Sequence, residues 1–258
     1  MFSAATTEAL AIALLFGLGL SLLFHAGILL RRSPFTPVQS CLYAVNLLLT
    51  RLLWRVRING RLPVSPGEGA VIVSNHRSSV DPTFLVLATD RVVHWMVAKE
   101  YWRIGVLGWF FRVCEAIPVN RGGIDTAATK LAIRLAQDGE LVGMFPEGRI
   151  NTTDRVLLPG RPGAALVALK ARVPVIPCYL SGSPYDGTYW GCLFMSARVR
   201  LRIGRPVDFS DYFGREKERD VLETLTKRIL SEIALLAGAK DFQPEVAGRF
   251  YKPGGTLD

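Results

Sequence analysis

Five short apolar runs recur along the chain, at Ala70–Ser74, Val92–Ala98, Ala116–Val119, Leu141–Phe145 and Val173–Leu180. Each has the length of a strand and is apolar almost throughout, which predicts a strand needing cover on both faces. Helical stretches lie between them. Asp125 is a natural N-cap for Thr126–Gln137, Gly163–Ala171 is rich in Ala and Leu, and Arg215–Ala237 has one charged and one apolar face. Val56–Asn59, closed by Gly60, predicts one more short strand. Arg198–Ile203 alternates strictly and predicts a half-exposed edge strand. Strands alternating with helices predict an α/β domain with a mainly parallel, mixed sheet flanked by helices. Ligands of such sheets bind beyond the carboxyl ends of the strands, so chemistry is expected just after each run. The tail from Gly238 reads as loose.

Half of the 258 residues are hydrophobic, which excludes a disordered chain, and four Cys exclude a disulfide scaffold. The Cys are most simply reduced, buried thiols. Charged residues make up 21% and spread along the chain, which argues against a polytopic membrane protein. The net charge of +9 leaves nucleic acid, anionic lipid and phosphorylated substrates open as partners.

Ala9–Leu30 carries no charge. As a helix at ~1.5 Å per residue it is long enough for the ~30 Å hydrocarbon core. Arg31 and Arg32 follow it, and no Lys or Arg precedes it, the reverse of a secretory signal. The positive-inside rule then puts the bulk of the chain in the cytoplasm. His25 inside this run reads as tolerated near the helix end. After Pro34 and Pro37, Val38–Trp54 reads as an amphipathic interfacial helix or as a helix packed on the soluble domain. The first helix either spans the bilayer or lies with the second in one leaflet. The expected organisation is a membrane-associated helical segment over 1–54, a catalytic domain over 55–237 and a tail over 238–258.

After the first run comes N-H-R-S-S-V-D, which places His76 five residues before Asp81. Of three His, His25 falls in the apolar run and His94 in an expected strand, so His76 is the candidate general base. An Asp that accepts a hydrogen bond from one ring nitrogen fixes the tautomer and frees the other nitrogen to take a proton. The plain structural alternative is an N-cap at a strand-to-helix turn. No G-x-S-x-G places a Ser nucleophile, so the base would act directly on a bound hydroxyl or water. No H-E-x-x-H or C-x-x-C supports a metal site.

Phe145-Pro-Glu-Gly-Arg149 ends another run. Glu147 can accept from hydroxyls, Gly148 permits close approach, and Arg149 can fork onto phosphate. Arg121 and Arg161 come from two further loops, and three arginines at one sheet edge would clamp a phosphate. A surface turn is the plainer reading of F-P-E-G-R alone. Lys99–Arg112 mixes aromatic and basic residues, a composition suited to single-stranded nucleic acid or to a membrane interface. The N-terminal apolar run favours the membrane.

Together these segments resemble the glycerolipid acyltransferases, in particular 1-acylglycerol-3-phosphate O-acyltransferases, over about Arg55–Phe209. N-H-x-S-x-x-D matches Asn75, His76, Ser78 and Asp81. The second region looks like Lys99, Glu100, Gly108 and Arg121. F-P-E-G matches Phe145–Gly148, and V-P-I-x-P is similar to Val173–Pro177. The third motif departs from the family after Gly148, where Arg149, Ile150 and Asn151 stand in place of Thr, Arg and Ser, and Gly105 stands where Pro is usual. The resemblance implies that His76, oriented by Asp81, deprotonates the acceptor hydroxyl for attack on the thioester of acyl-CoA or acyl carrier protein. It implies no cofactor, no metal and no nucleic acid. Glu147, Gly148, Arg121, Arg149, Arg161 and Ser78 would bind substrate, and Lys99 or a backbone N–H would meet the oxyanion. Partners would be a lysophospholipid, the acyl donor and the membrane, with the catalytic domain facing the cytoplasm. Other lyso-lipids such as lyso-ornithine lipid, a hydrolase or transacylase, and a non-catalytic anionic-lipid binder stay open as alternatives.

Overall fold

The central strand, β2 (Ala70–Ser74), is buried at every residue. Its side chains alternate between two cores, with Val71 and Val73 on one face and Ala70 and Ile72 on the other. A strand this apolar is stable only in the middle of a covered sheet. The structure, a computed structural model, describes residues 34–120, 125–188 and 190–248. The expected helix over Ala9–Leu30, His25 within it, and Arg121 lie outside those residues. Among the described residues no helix is long and apolar enough to cross a membrane.

The other strands are β1 (Arg57–Asn59), β3 (Val93–Ala98), β4 (Ile117–Val119), β5 (Leu141–Met144), β6 (Val175–Ser181) and β7 (Arg200–Ile203). They form one seven-stranded sheet in the order β1-β7-β6-β2-β5-β3-β4. Every neighbouring pair is parallel except β6 and β7. The mixed α/β sheet is therefore as the alternation of elements predicts. β7 keeps its alternation, with Leu201 buried between exposed Arg200 and Arg202, but it is not an edge. β1 pairs along its outer side and takes the edge position.

One face of the sheet is covered by α4 (Thr126–Gln137), α5 (Gly163–Ala171) and α6 (Arg219–Ala237). Asp125 caps α4 by accepting from Ala128 N. Ala128, Ala132 and Ala136, spaced four apart, form its inward stripe, and their small size lets the helix lie close to the sheet. The helix expected from Arg215 begins at Arg219, because Arg215 and Glu218 close a turn with an ion pair at 2.7 Å. The opposite face buries Trp54, Phe84, Leu85, Trp95 and Cys192. Helix α1 (Pro37–Leu52) runs over most of the expected amphipathic stretch. Residues from Val45 onward form one compact unit, and within it Leu49 and Leu53 pack on this second core. Among the described residues there are also two short helices, α2 (Asp81–Leu85) and α3 (Gly105–Val113). The periodicity of α3 is masked in sequence by its run of aromatics. Gly108 is required in it, since a Cβ there would overlap the Trp102 carbonyl. Of the Cys expected to be buried, Cys178 and Cys192 are, Cys114 is half-buried and Cys41 is exposed; none forms a disulfide.

The chain beyond Gly238 is not loose as far as Gly248. Gly160 N donates to the Glu245 carbonyl and Ala247 N to the Gly160 carbonyl, each at 2.9 Å. Phe242 packs on the first core, and Glu245 pairs with Arg155. Polar and Gly composition hid these contacts because they form with a distant loop. Ending the chain at Gly238 removes the Phe242 contact and both backbone bonds. We expect a stability loss of about 2 kcal/mol, the scale of one large buried side chain, read as a lower urea midpoint.

Candidate active site

Where β2, β3, β4, β5 and β6 end, one edge of the sheet gathers the loops singled out in sequence. His76 leaves β2 directly. Its Nδ1 lies 3.0 Å from Asp81 Oδ2. The same oxygen accepts from Arg77 N at 2.6 Å and Ser78 N at 2.8 Å. A carboxylate oxygen only accepts, so Nδ1 carries the proton and Nε2 is left as the basic nitrogen. Asp81 is fully buried, whereas the His76 side chain is 17% exposed. The imidazole thus has a dry side fixed by Asp81 and a side open to solvent.

Three contacts fix the loop around it. Asn75 extends the pairing of β2 with β6: its Nδ2 donates to the Leu180 carbonyl at 2.9 Å and its Oδ1 accepts from Leu180 N at 2.7 Å. The His76 carbonyl accepts from Asn151 N at 2.7 Å. The His76 ring stacks on Phe145, with centroids 3.9 Å apart and planes within 7°. Phe145 stacks in turn on Trp95 at 4.9 Å. Trp95 lies flat over Gly143, where any Cβ would overlap the indole. A glycine in β5 therefore creates the slot that sets the depth of the stack and so the position of the ring.

Glu147 is 1% exposed. Its Oε1 accepts from His76 N and its Oε2 from Leu158 N, each at 2.8 Å. Expected to meet substrate hydroxyls, this carboxyl instead ties the His76 loop to the loop before α5. Burial pushes it up to about 7, opposed by those two N–H groups and by the Arg77 guanidinium. Arg77 is a brace too, donating to the carbonyls of Asn151 at 3.1 Å and of Thr153 and Arg155 at 2.5 Å.

The remaining expected residues divide into near and far. Gly148 has φ +68°, and a Cβ there would press on the Arg161 side chain at 3.2 Å. Arg161 N also donates to the Pro146 carbonyl at 2.8 Å. Arg161 thus lies against the turn that carries Arg149, and the two arginines share one end of the site. Ser78 is fully buried and belongs to the turn, its Oγ accepting from Val80 N at 3.4 Å. Lys99 follows β3, half-exposed, with Nζ 4.0 Å from Asp125 Oδ2. Asp125 also accepts from Asn120 N at 2.9 Å. Sequence reasoning missed Phe145, Trp95 and Gly143 as the platform under the His76 ring, and Arg77 as the brace of its loop. An aromatic directly before Pro-Glu-Gly at a strand end was the available signal.

A family model described as acyltransferase matches residues 55–181. The chain is 30% identical over 198 residues to the 1-acyl-sn-glycerol-3-phosphate acyltransferase of Streptococcus pneumoniae, covering 73% of this chain and 70% of that one. The chain belongs to the acyltransferase family. The enzyme of the same name from Bacillus subtilis is 29% identical over 193 residues, covering 73% of this acyltransferase and 93% of that protein. The crystal structure of the 1-acyl-sn-glycerophosphate acyltransferase PlsC from Thermotoga maritima shares the fold. Its TM-score is 0.56 at 23% identity, over 81% of this chain and 88% of that one. This acyltransferase is accordingly an O-acyltransferase built on a mixed seven-stranded α/β sheet.

The buried Glu147 gives the acyltransferase a signature in its stability. With its carboxyl near 7 in the fold and an ordinary value of 4.5 when unfolded, the folded state holds a proton that the unfolded state has lost between those values. Stability from this group is complete below about pH 4.5, falls as pH rises to about 7, and is level above. Glu147→Gln removes that slope while lowering stability overall, because its NH₂ must face one of the two N–H donors. Urea unfolding of both proteins from pH 4.5 to 8 checks this.

Proposed function

We propose that this enzyme transfers a fatty acyl group from acyl-CoA or acyl carrier protein to the hydroxyl of 1-acylglycerol-3-phosphate, forming phosphatidic acid. The observation that carries the reading is the pairing of His76 Nδ1 with buried Asp81 at 3.0 Å, which leaves Nε2 basic at the open edge of the sheet. Nε2 removes the proton from the acceptor hydroxyl as the oxygen attacks the thioester carbonyl. The tetrahedral intermediate collapses with loss of the thiolate, which takes the proton back from His76. Asp81 stabilises the imidazolium between the two transfers. No covalent acyl-enzyme, metal or cofactor enters this scheme. Arg149, Arg161 and Arg121 are the candidate ligands of the acceptor phosphate, and Lys99 is a candidate donor to the oxyanion. The names of the similar enzymes from S. pneumoniae and B. subtilis support the acceptor.

The uncharged Ala9–Leu30 and the arginines after it support attachment to the membrane with the catalytic domain on the cytoplasmic side. The altered third motif, Arg149-Ile150-Asn151, supports a second reading in which the acceptor is another lyso-lipid such as lyso-ornithine lipid. His76→Ala should lower acyl transfer by about 10²–10⁴-fold, the range for loss of a positioned general base, with a lower urea midpoint from the lost stack and the lost Asp81 bond but a folded protein at assay temperature. Product analysis by mass spectrometry over a panel of lyso-lipids and both donors reads this out. Undiminished turnover by the variant would remove His76 from the reaction, and acylation of a non-phosphate acceptor in preference would select the second reading.

A further inference from the structure

The connection between β5 and α5 runs over residues 145–162 with no helix or strand of its own. Ordered connections of that length are uncommon and usually functional. Residues 152–155 face solvent, and their backbone has no ladder to pair with. One side chain from the turn after β2 holds this stretch. The Arg77 guanidinium donates to the carbonyls of Asn151, Thr153 and Arg155. Three carbonyls around one side chain suit the planar fork of Arg and not the point charge of Lys. Asn151 stiffens the same stretch from within. Its Oδ1 accepts from Thr153 N at 3.0 Å and from Thr153 Oγ1 at 2.7 Å, and its Nδ2 donates to the Arg155 carbonyl at 2.9 Å.

These bonds close into a ring that contains the imidazole. Arg77 N donates to Asp81 Oδ2, the atom that pairs with His76 Nδ1. Arg77 Nη1 donates to the Asn151 carbonyl, and Asn151 N donates back to the His76 carbonyl at 2.7 Å. The N–H of His76 is bonded to Glu147 Oε1 at 2.8 Å. The two backbone groups of His76 are therefore tied to residues 147 and 151, and Arg149 lies midway between those ties. Asn151 is 2% exposed, so its end of the strap is buried as well. In 1-acylglycerol-3-phosphate the free hydroxyl and the phosphate sit on adjacent carbons. A base for the one and a ligand for the other must then keep a short, fixed separation, and small errors in it are costly to the rate.

We propose that Arg77 is the positioning residue that couples the base to the acceptor-binding turn. Its guanidinium holds residues 151–155, and through Asn151 it holds Arg149 at a set distance from His76, so that the hydroxyl and the phosphate of one acceptor are engaged together. Arg77 itself touches no substrate. The inference rests on the reading that His76 is the base and Arg149 a ligand of the acceptor phosphate.

The test uses the full chain in detergent, with Arg77→Gln, Arg77→Lys, Arg149→Gln and the double variant of Arg77→Gln with Arg149→Gln. The values of kcat and KM are measured separately for acceptor and donor, with the lyso-lipid that the wild type acylates fastest. Both Arg77 variants lower kcat and raise the acceptor KM, so that kcat/KM falls about ten- to a hundredfold, the scale of one lost hydrogen bond to a charged group. The donor KM stays at its wild-type value. Arg149→Gln raises the acceptor KM, and adding Arg77→Gln raises it no further, because the side chain being positioned is gone. Hydrogen exchange on the unliganded proteins needs no turnover. In Arg77→Gln, peptides covering 75–81 and 147–156 exchange faster, while the strands keep their protection. Failure of the acceptor reading shows separately, as a wild-type protein that prefers a lyso-lipid without phosphate. The proposal is overturned if Arg77→Gln keeps the wild-type acceptor constants or if Arg77→Lys restores them. It is also overturned if Arg149→Gln leaves the acceptor KM unchanged. A parallel loss for donor and acceptor, with protection lost throughout the sheet, overturns it too, since Arg77 would then only hold the fold.

Discussion

A loop that leaves the middle of a parallel sheet has backbone groups that no neighbouring strand can pair, and leaving them bare in a buried site is costly. Everything at the active edge follows from how residues 75–81 meet that constraint. Asn75 imitates one more rung of the ladder with β6, Glu147 takes the N–H of His76, Asn151 takes its carbonyl, and Asp81 takes the next two N–H groups. Only after those bonds are made does the imidazole have one orientation. The carboxylate oxygen that orients the imidazole is thus the same atom that satisfies the turn, and the orientation of His76 is not separable from the folding of the loop.

The same economy governs the aromatic stack. Trp95, Phe145 and His76 come from three different elements, and the interplanar angles of 19° and 7° hold them as one column. The column fits because position 143 has no side chain. It covers one face of the imidazole, while Asp81 on its Nδ1 side is itself fully buried, a dry setting that strengthens the pairing of the two.

The strands were legible because burial on both faces leaves an unbroken apolar run, and α4 and α5 because Asp125 and the Ala-rich stretch are local signals. His76 and Asp81 were legible because they lie five residues apart in one turn. What was not legible is whatever depends on a distant partner. β7 looks like an edge until Arg57–Asn59 is seen beside it, and the tail looks loose until Gly160 is found between Glu245 and Ala247. Glu147 stood out in sequence as part of the F-P-E-G turn. Its bonds to His76 N and Leu158 N could not be read from spacing, since one partner is 71 residues away. The stacking role of Phe145 and the slot at Gly143 escaped notice because a strand-end aromatic and a strand glycine are ordinary taken singly.

The bracket between Asn75 and Leu180 spans 105 residues of sequence. A chain made from its N-terminus exposes His76 and Asp81 long before Glu147, and Glu147 well before Leu180. β2 must wait for both of its neighbours, β5 and β6, and such long-range pairing is slow to form. Unfinished or prematurely terminated chains therefore carry both His76 and Asp81 in their sequence and yet lack the contacts that hold the pair in one geometry. The His76–Asp81 arrangement is put together only when the sheet that shelters it is nearly complete.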